Sequence, residues 1–419
     1  MRYKFKYTSL VESIFSLITL KALNYLIPLV TLPYLINVLG IKLFGLIGFA
    51  ESFIFYFNSI IEYGFNYTAT RRISSNRDDV KTLTDEFNIV YSVKILLVFL
   101  CFLAFIIIIF VVPKFFEYKI ILFASFGILI GYNIFPVWFF QGVEKMRYIT
   151  ILQFLARLIY ACLIFLFIKS KEDYFLPPLF NMVGFILSGS IAIYIINKKY
   201  GIRFRFQSLK SIKNKLRQDF NIFASIFSPN LYNNSSTFLL GIFSGVTMVG
   251  YYQVATKIID VLISFINSIS TAFFPFLNRN KNKILFAFFP FVLIGMSLTV
   301  FVLLFSSNII DLLFPNSLQI SESILLILAI SPLLISINSY FSINYLMIMN
   351  KDKQVRNITF ACSIIGLLIS IIAISNFGIY GAAFSLVFTR FLLALSNFTY
   401  SLKFAGWTIK KANLNYKLL

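Results

Sequence analysis

Long apolar runs divided by short polar or charged turns make up nearly the whole chain. A helix crossing a bilayer needs about 20 apolar residues, and such runs fall at 9–36, 44–66, 87–110, 119–140, 148–168, 175–196, 219–243, 251–275, 284–306, 323–349, 357–375 and 380–402. The pattern predicts an all-α polytopic membrane protein with twelve transmembrane helices. Arg2, Lys4 and Lys6 ahead of the first run imitate a secretory signal, but the run extends from Ser9 to about Leu39 without a small-residue cleavage pattern, so it reads as a retained helix. An even number of spans places both termini on one side.

The basic residues indicate which side. Loops on one face carry 27 Lys and Arg, eight of them between Lys198 and Arg217, whereas the opposite loops carry five: Lys42, Lys114, Lys119, Lys169 and Lys171. By the positive-inside rule both termini are cytoplasmic. The other five basic residues, Lys21, Lys94, Arg157, Lys257 and Arg390, fall inside spans.

The chain also repeats itself. Gly40, Gly45 and Ala50 recur as Gly245, Gly250 and Ala255, an offset of 205, and Arg147-Tyr-Ile-Thr150 recurs as Arg356-Asn-Ile-Thr359 at 209. Span order and loop side agree between the copies. We therefore expect a six-helix bundle over 1–196, a basic cytoplasmic linker over 197–217, a second six-helix bundle over 218–402 and a cytoplasmic tail over 403–419. Six being even, the halves insert in the same orientation, related by an axis along the membrane normal with substrate between them. Within the linker, Leu209, Ile212 and Leu216 repeat at helical spacing among eight basic residues and no acid. A short interfacial helix facing anionic lipids is expected there.

Composition narrows the chemistry. Of 419 residues 59% are apolar and 13% charged, with a mean hydropathy of +0.85, against roughly 25% charged in soluble domains. The net charge of +21 punctuates apolar runs and does not form the basic face of a nucleic-acid-binding domain. Without a single His, histidine-bound metals, His-based triads and histidine proton relays are excluded. Cys101, Cys162 and Cys362 are scattered through apolar runs, which suits neither a disulfide framework nor a metal site. A membrane glycosyltransferase or polymerase would need carboxylates near a membrane surface. The cluster Asp78, Asp79, Asp85 and Glu86 stands beside Arg71, Arg72, Arg77 and Lys81 and reads more simply as a solvated mixed-charge loop.

Four segments suggest a family: Leu20 to Gly40 (LKALNYLIPLVTLPYLINVLG), Phe44 to Ala50 (FGLIGFA), Tyr63 to Arg71 (YGFNYTATR) and Phe140 to Met146 (FQGVEKM). Together they resemble the opening of Wzx-type polysaccharide flippases of the multidrug/oligosaccharidyl-lipid/polysaccharide exporter superfamily. The likeness is specific over roughly 1–150; beyond that, span count and loop pattern agree. It implies two six-helix bundles around a central cavity in the bacterial inner membrane. The implied substrate is an O-antigen or capsule repeat unit on undecaprenyl pyrophosphate, moved from the cytoplasmic to the outer leaflet, with polysaccharide polymerase machinery as a partner. Neither cofactor nor metal is expected; a coupling ion would be H+ or Na+.

The span-embedded charges can be read beside that likeness. Lys21, Glu51, Glu62, Lys94, Arg157, Lys257, Asp260 and Arg390 would cost on the order of 20 kcal/mol if all faced lipid unpaired, at ~2.5–3.5 kcal/mol each. Most must therefore face a hydrated cavity or a partner. Five positive against three negative charges suit a pyrophosphate better than an organic cation. The planar fork of arginine favours phosphate, which puts Arg157 and Arg390 ahead of Lys21 and Lys257 as headgroup ligands, the alternative being buried structural pairs. Lys94 and Glu62, nearer a cytoplasmic end, are expected to snorkel. Lys257 and Asp260 stand at i, i+3, where mutual neutralisation competes with a direct role. Glu51, with no local partner, is the foremost candidate for ion coupling, joined by Asp260. Asn230, Asn233 and Asn234 beside Pro229 would contact sugar hydroxyls or glue helices, and Pro28 with Pro33 marks a kink, either a gate or a static bend. The competing functions are a cation-coupled multidrug exporter, which would want carboxylates in its cavity, and a lipid II flippase.

Overall fold

The computed structural model describes residues 7–314 and 318–416; side chains at 7–26, 28–29, 225–226, 228–234, 272, 275, 282 and 405–416 lie outside the description. Each of the twelve apolar runs is mainly helical, three of them interrupted, at 63–64, 135–136 and 329–330, and among the described residues no strand forms. Nine helical stretches there are long and apolar enough to cross a membrane, and Val30–Ser75 and Asp352–Phe404, with 46 and 53 residues, are each more than twice a single crossing. The chain is a multi-pass membrane protein.

The first two runs lie on α1 (Tyr7–Glu62), broken at Gly40, whose φ of 78° suits a residue without Cβ. Short α2 (Phe65–Ser75) follows a second break at Tyr63 and Gly64. Asp79 caps α3 (Val80–Val111), accepting the Lys81 N–H at 3.0 Å and the Thr82 hydroxyl at 2.6 Å. These hydrogen bonds, the one from Thr82 foremost, hold its carboxyl below the ordinary range. Next come α4 (Pro113–Glu117), α5 (Lys119–Ile134) and α6 (Val137–Gly142), the last two divided at Pro136. A turn then leads to α7 (Met146–Phe167), followed by α8 (Leu176–Tyr200). Residues 201–207 are not helical; the Arg205 N–H donates to Asn88 Oδ1 and the Gln207 N–H to Ser92 Oγ, each at 2.9 Å, pinning the linker along α3.

Helix α9 (Leu209–Phe243) starts from a Ser208 cap and continues unbroken across Pro229. The expected separate interfacial helix is thus the first turns of α9 itself, with Ile212 and Lys215 buried. At the far end, Lys114 Nζ donates to the carbonyls of Gly241 and Ile242 at 2.8 and 2.9 Å, closing the helix C-terminus with a cation. Inside this part of the chain, Phe53, Phe57 and Phe105 are buried, Phe57 meeting the other two edge-to-face while those two stack, with ring centroids 5.2–6.2 Å apart, the preferred spacing for aromatic pairs.

The remaining elements are α10 (Val246–Arg279), α11 (Ile284–Leu313), α12 (Gln319–Leu328) and α13 (Ser331–Ser339), then a π-helix (Tyr340–Met347) and α14 (Asp352–Tyr416), broken at Gly378 with φ 56°. Their core gathers Leu277, Phe291, Tyr340 and Ile348. Compactness separates a first unit, Leu23–Gly250, which includes α9, from a second that joins the start of α1, up to Ala22, to the chain from Tyr251 onward.

The repeat read from sequence has physical counterparts. Gly245, the mate of Gly40, is also left-handed, with φ 87°. A Cβ on Gly45 would lie 1.9 Å from the carbonyl oxygen of Val246, and one on Gly250 would lie 2.3 Å from that of Ile41. Ile41 and Val246 are themselves 205 apart, so the contact is reciprocal: each copy's glycine meets the other copy's carbonyl. Near the other motif, left-handed Glu144 and Asn350 each have φ 58°. Just after them, Lys145 N–H reaches Phe140 O at 2.8 Å and Lys351 N–H reaches Leu346 O at 2.9 Å, the same six-residue closure of a helix end.

Candidate functional site

The first unit draws one charged group from each of two helices toward a common set of aromatics. Glu51 is on α1 and Arg157 on α7, both partly buried. Tyr160, one turn after Arg157, lies within Coulombic range of the Glu51 carboxylate, the Arg157 guanidinium and the Tyr132 phenol. The guanidinium lies over the Phe185 ring of α8 at 5.6 Å, a cation–π geometry, and Tyr132 meets the same ring edge-on at 4.4 Å. Asn181, one turn before Phe185, points Nδ2 at the Tyr132 hydroxyl at 3.5 Å and leaves its buried Oδ1 without a partner. Among the described residues no carboxylate lies within 4.0 Å of Arg157. Four helices thus supply a half-buried guanidinium on an aromatic face and a carboxylate that both act on Tyr160.

The second unit places Arg390 on α14 opposite Asp260 on α10. Arg390 Nη2 is 4.0 Å from Asp260 Oδ1, the outer limit of an ion pair, and Asp260 is 56% exposed while Arg390 is buried. Arg390 Nη1 has no hydrogen-bond partner among the described residues. Lys257 is exposed and acts on Asp260 through charge without an ion pair among the described residues; the ion pair that Asp260 forms there is with Arg390, across helices. Lys21, Asn230, Asn233 and Asn234 lie outside the residues whose side chains are described.

Two expectations about the other charges change. Lys94 does not snorkel: it is 5% exposed, on a part of α3 buried against the rest of the first unit. Glu86 is not in a solvated loop. It is 1% exposed and paired with Lys215 of α9, with Arg72 Nε 3.4 Å away, while Lys215 also stands 3.3 Å from Asp219, which accepts the Thr68 hydroxyl at 3.0 Å. One lysine of the basic linker is therefore committed to a buried ion cluster and not to a lipid-facing surface. Sequence could not show this, because Glu86 and Lys215 meet only when α9 folds back on α3.

A polar seam in the second unit was also missed. Asn397 Nδ2 donates to Asn338 Oδ1 at 2.9 Å, Asn344 Nδ2 to Ser270 Oγ at 2.7 Å, and the Ser339 hydroxyl reaches Asn267 Oδ1 at 3.4 Å. Asn344 is in the π-helix, a wider winding often found at functional positions. The only sequence signal is a scatter of Asn and Ser within apolar runs. The first unit repeats the theme, with Asn133 Nδ2 3.4 Å from Asn58 Oδ1.

Comparison with known proteins fits this architecture. Residues 10–281 match the family described as polysaccharide biosynthesis protein. A candidate O-antigen transporter of Escherichia coli (strain K12) is 30% identical over 393 residues, covering 92% of this chain and 95% of that protein. Among solved structures, an inward-facing multidrug resistance transporter of the MATE family, in the MOP superfamily, superposes with TM-score 0.66 at 15% identity, covering 93% of this chain and 99% of the other. The lipid II flippase MurJ in an inward closed conformation gives TM-score 0.65 at 16% identity, covering 87% and 85%. At these identities the structures share the fold.

Proposed function

This chain belongs to the polysaccharide biosynthesis protein family and has the fold of the MOP superfamily, and from that premise we propose that it flips lipid-linked oligosaccharide repeat units. The substrate is a glycan on undecaprenyl pyrophosphate, carried from the cytoplasmic to the outer leaflet of the bacterial inner membrane by alternating access, with both termini of the chain cytoplasmic. The candidate O-antigen transporter of Escherichia coli, alike along nearly its whole length, supports a glycan substrate.

The observation that carries the reading is the under-partnered state of both embedded arginines. Among the described residues Arg157 has no carboxylate within 4.0 Å, and Arg390 keeps a buried nitrogen without a hydrogen bond. A guanidinium with free donors is suited to a phosphate, whose oxygens accept two parallel hydrogen bonds. Arg157 and Arg390 hold the pyrophosphate in this reading, assisted by Lys21 and Lys257. In the same reading Glu51, which like Arg157 acts by charge on Tyr160, and Asp260, 4.0 Å from Arg390, exchange a proton or Na+ for the anionic headgroup. Asn230, Asn233 and Asn234 supply amides for the sugars.

Each charge-assisted contact contributes about 1.5–3 kcal/mol, so Arg157→Ala or Arg390→Ala is expected to lower surface glycan about tenfold or more at unchanged membrane abundance. Lys at either position restores part of the activity, keeping charge and losing the fork. Normal glycan from both alanine variants at normal abundance would refute the headgroup role. A multidrug exporter would instead lose toxin resistance on Glu51→Gln or Asp260→Asn and leave surface glycan untouched.

A further inference from the structure

Lys94 lines a pocket of about 340 Å³ between α3, α5, α8 and the linker. Its walls are apolar: Ile95 and Val98 of α3, Ile130 of α5, Ile193 of α8 and Phe204 of the linker. The other polar donors are engaged, the Tyr91 hydroxyl donating to Ile134 O at 2.6 Å and Asn133 Nδ2 to Leu129 O at 2.9 Å. Among the described residues the Lys94 ammonium has neither a hydrogen bond nor an ion pair; Glu62 acts on it only at longer range. A buried, unpaired ammonium is costly, and an anion entering the pocket would relieve that cost.

Three features indicate where the anion comes from. Along α3, Ile95, Phe99, Leu103, Ile107 and Phe110 are exposed at one-turn spacing, a stripe suited to hydrocarbon. Ile95 stands at the pocket, and so does exposed Ile130, so the mouth opens on the surface that meets lipid tails. At the rim, the linker pinned along α3 sets Phe204 against Tyr91 and leaves Arg203 and Arg205 exposed on either side of it. The volume is near the lower end of the ~300–1,000 Å³ of ligand sites, small for a glycan and wide enough for part of a lipid.

We propose that this pocket binds an anionic phospholipid of the surrounding bilayer, its phosphate drawn to Lys94, with Arg203 and Arg205 at the rim and the acyl chains along Ile95, Val98 and Ile130. The site is separate from the Arg157 cluster and does not rest on the flippase reading.

The test uses the full chain purified in maltoside detergent, delipidated, and offered phosphatidylglycerol or phosphatidylcholine, with bound lipid counted by native mass spectrometry. The wild-type chain is expected to retain one phosphatidylglycerol that Lys94→Met loses, at least a threefold fall in that occupancy, with no difference for phosphatidylcholine. Ile193→Trp fills the pocket, keeps the lysine and should lose the same lipid; it decides the matter if Lys94→Met fails to fold. Equal phosphatidylglycerol retention by wild type and the folded variants overturns the proposal, and so does equal binding of phosphatidylcholine. Displacement of the retained lipid by undecaprenyl phosphate at equimolar addition would reassign the pocket to the carrier lipid and overturn the phospholipid assignment.

Discussion

At the scale of single residues, the buried ion cluster is the sharpest case of a charge whose surroundings are set by the fold. Removing one member of a buried pair leaves the other uncompensated and costs about 3–5 kcal/mol. Lys215→Met, which leaves Glu86 at 1% exposure with half-exposed Arg72 as its remaining cation and takes the cation from Asp219 as well, is therefore expected to lower the melting temperature in detergent markedly, and adding Glu86→Gln should recover part of the loss. Equal melting of wild type and Lys215→Met would remove the cluster's structural role. Asp79 gives a pH-dependent counterpart outside the membrane. Its carboxyl is held below the ordinary range by Thr82 and the backbone of α3, so its contribution is present in full above the unfolded value of about 3.9. That contribution fades as pH falls through the lower folded value. Amide exchange at Lys81 and Thr82 should accelerate relative to the intrinsic rate only below about pH 4, and Asp79→Ala should show the faster exchange at neutral pH. Arg157 and Glu51 were legible as embedded charges because a charge in an apolar run stands out. Their sharing of Tyr160 was not, since four helices far apart in sequence supply the cluster.

At the scale of elements, twelve apolar runs were legible because the bilayer imposes one length on all of them. The joints were less so. Gly40 and Gly378 break their helices where the apolar pattern predicted loops, whereas the π-helix Tyr340–Met347 has neither proline nor glycine to announce it. The repeated glycine frame was visible as spacing alone, and its purpose is close approach. A side chain at Gly45 has no room beside the Val246 carbonyl, at 1.9 Å from an added Cβ, and Gly250 meets Ile41 in the same way. Gly45→Val and Gly250→Val are each expected to reduce the monodisperse protein recovered on size exclusion several-fold. Recovery at wild-type level would mean that the helices part there without cost.

At the scale of the whole molecule, the surplus of basic residues in one set of loops predicts an orientation with both termini in the cytoplasm. A reporter active only in the periplasm, fused after Lys403, should stay silent, and a cytoplasmic reporter there should be active; the reverse would invert the topology. The proposed function requires transport from the cytoplasmic to the outer leaflet, and a protection experiment reads that direction. Pyrophosphate-linked repeat units, radiolabelled in spheroplasts of the native host, can be probed with a pyrophosphatase that does not cross the membrane. Cells lacking the chain should retain their labelled units in a protected, cytoplasm-facing pool, and restoring the wild-type chain should expose them to the enzyme. Equal exposure with and without the chain would contradict its role as the flippase.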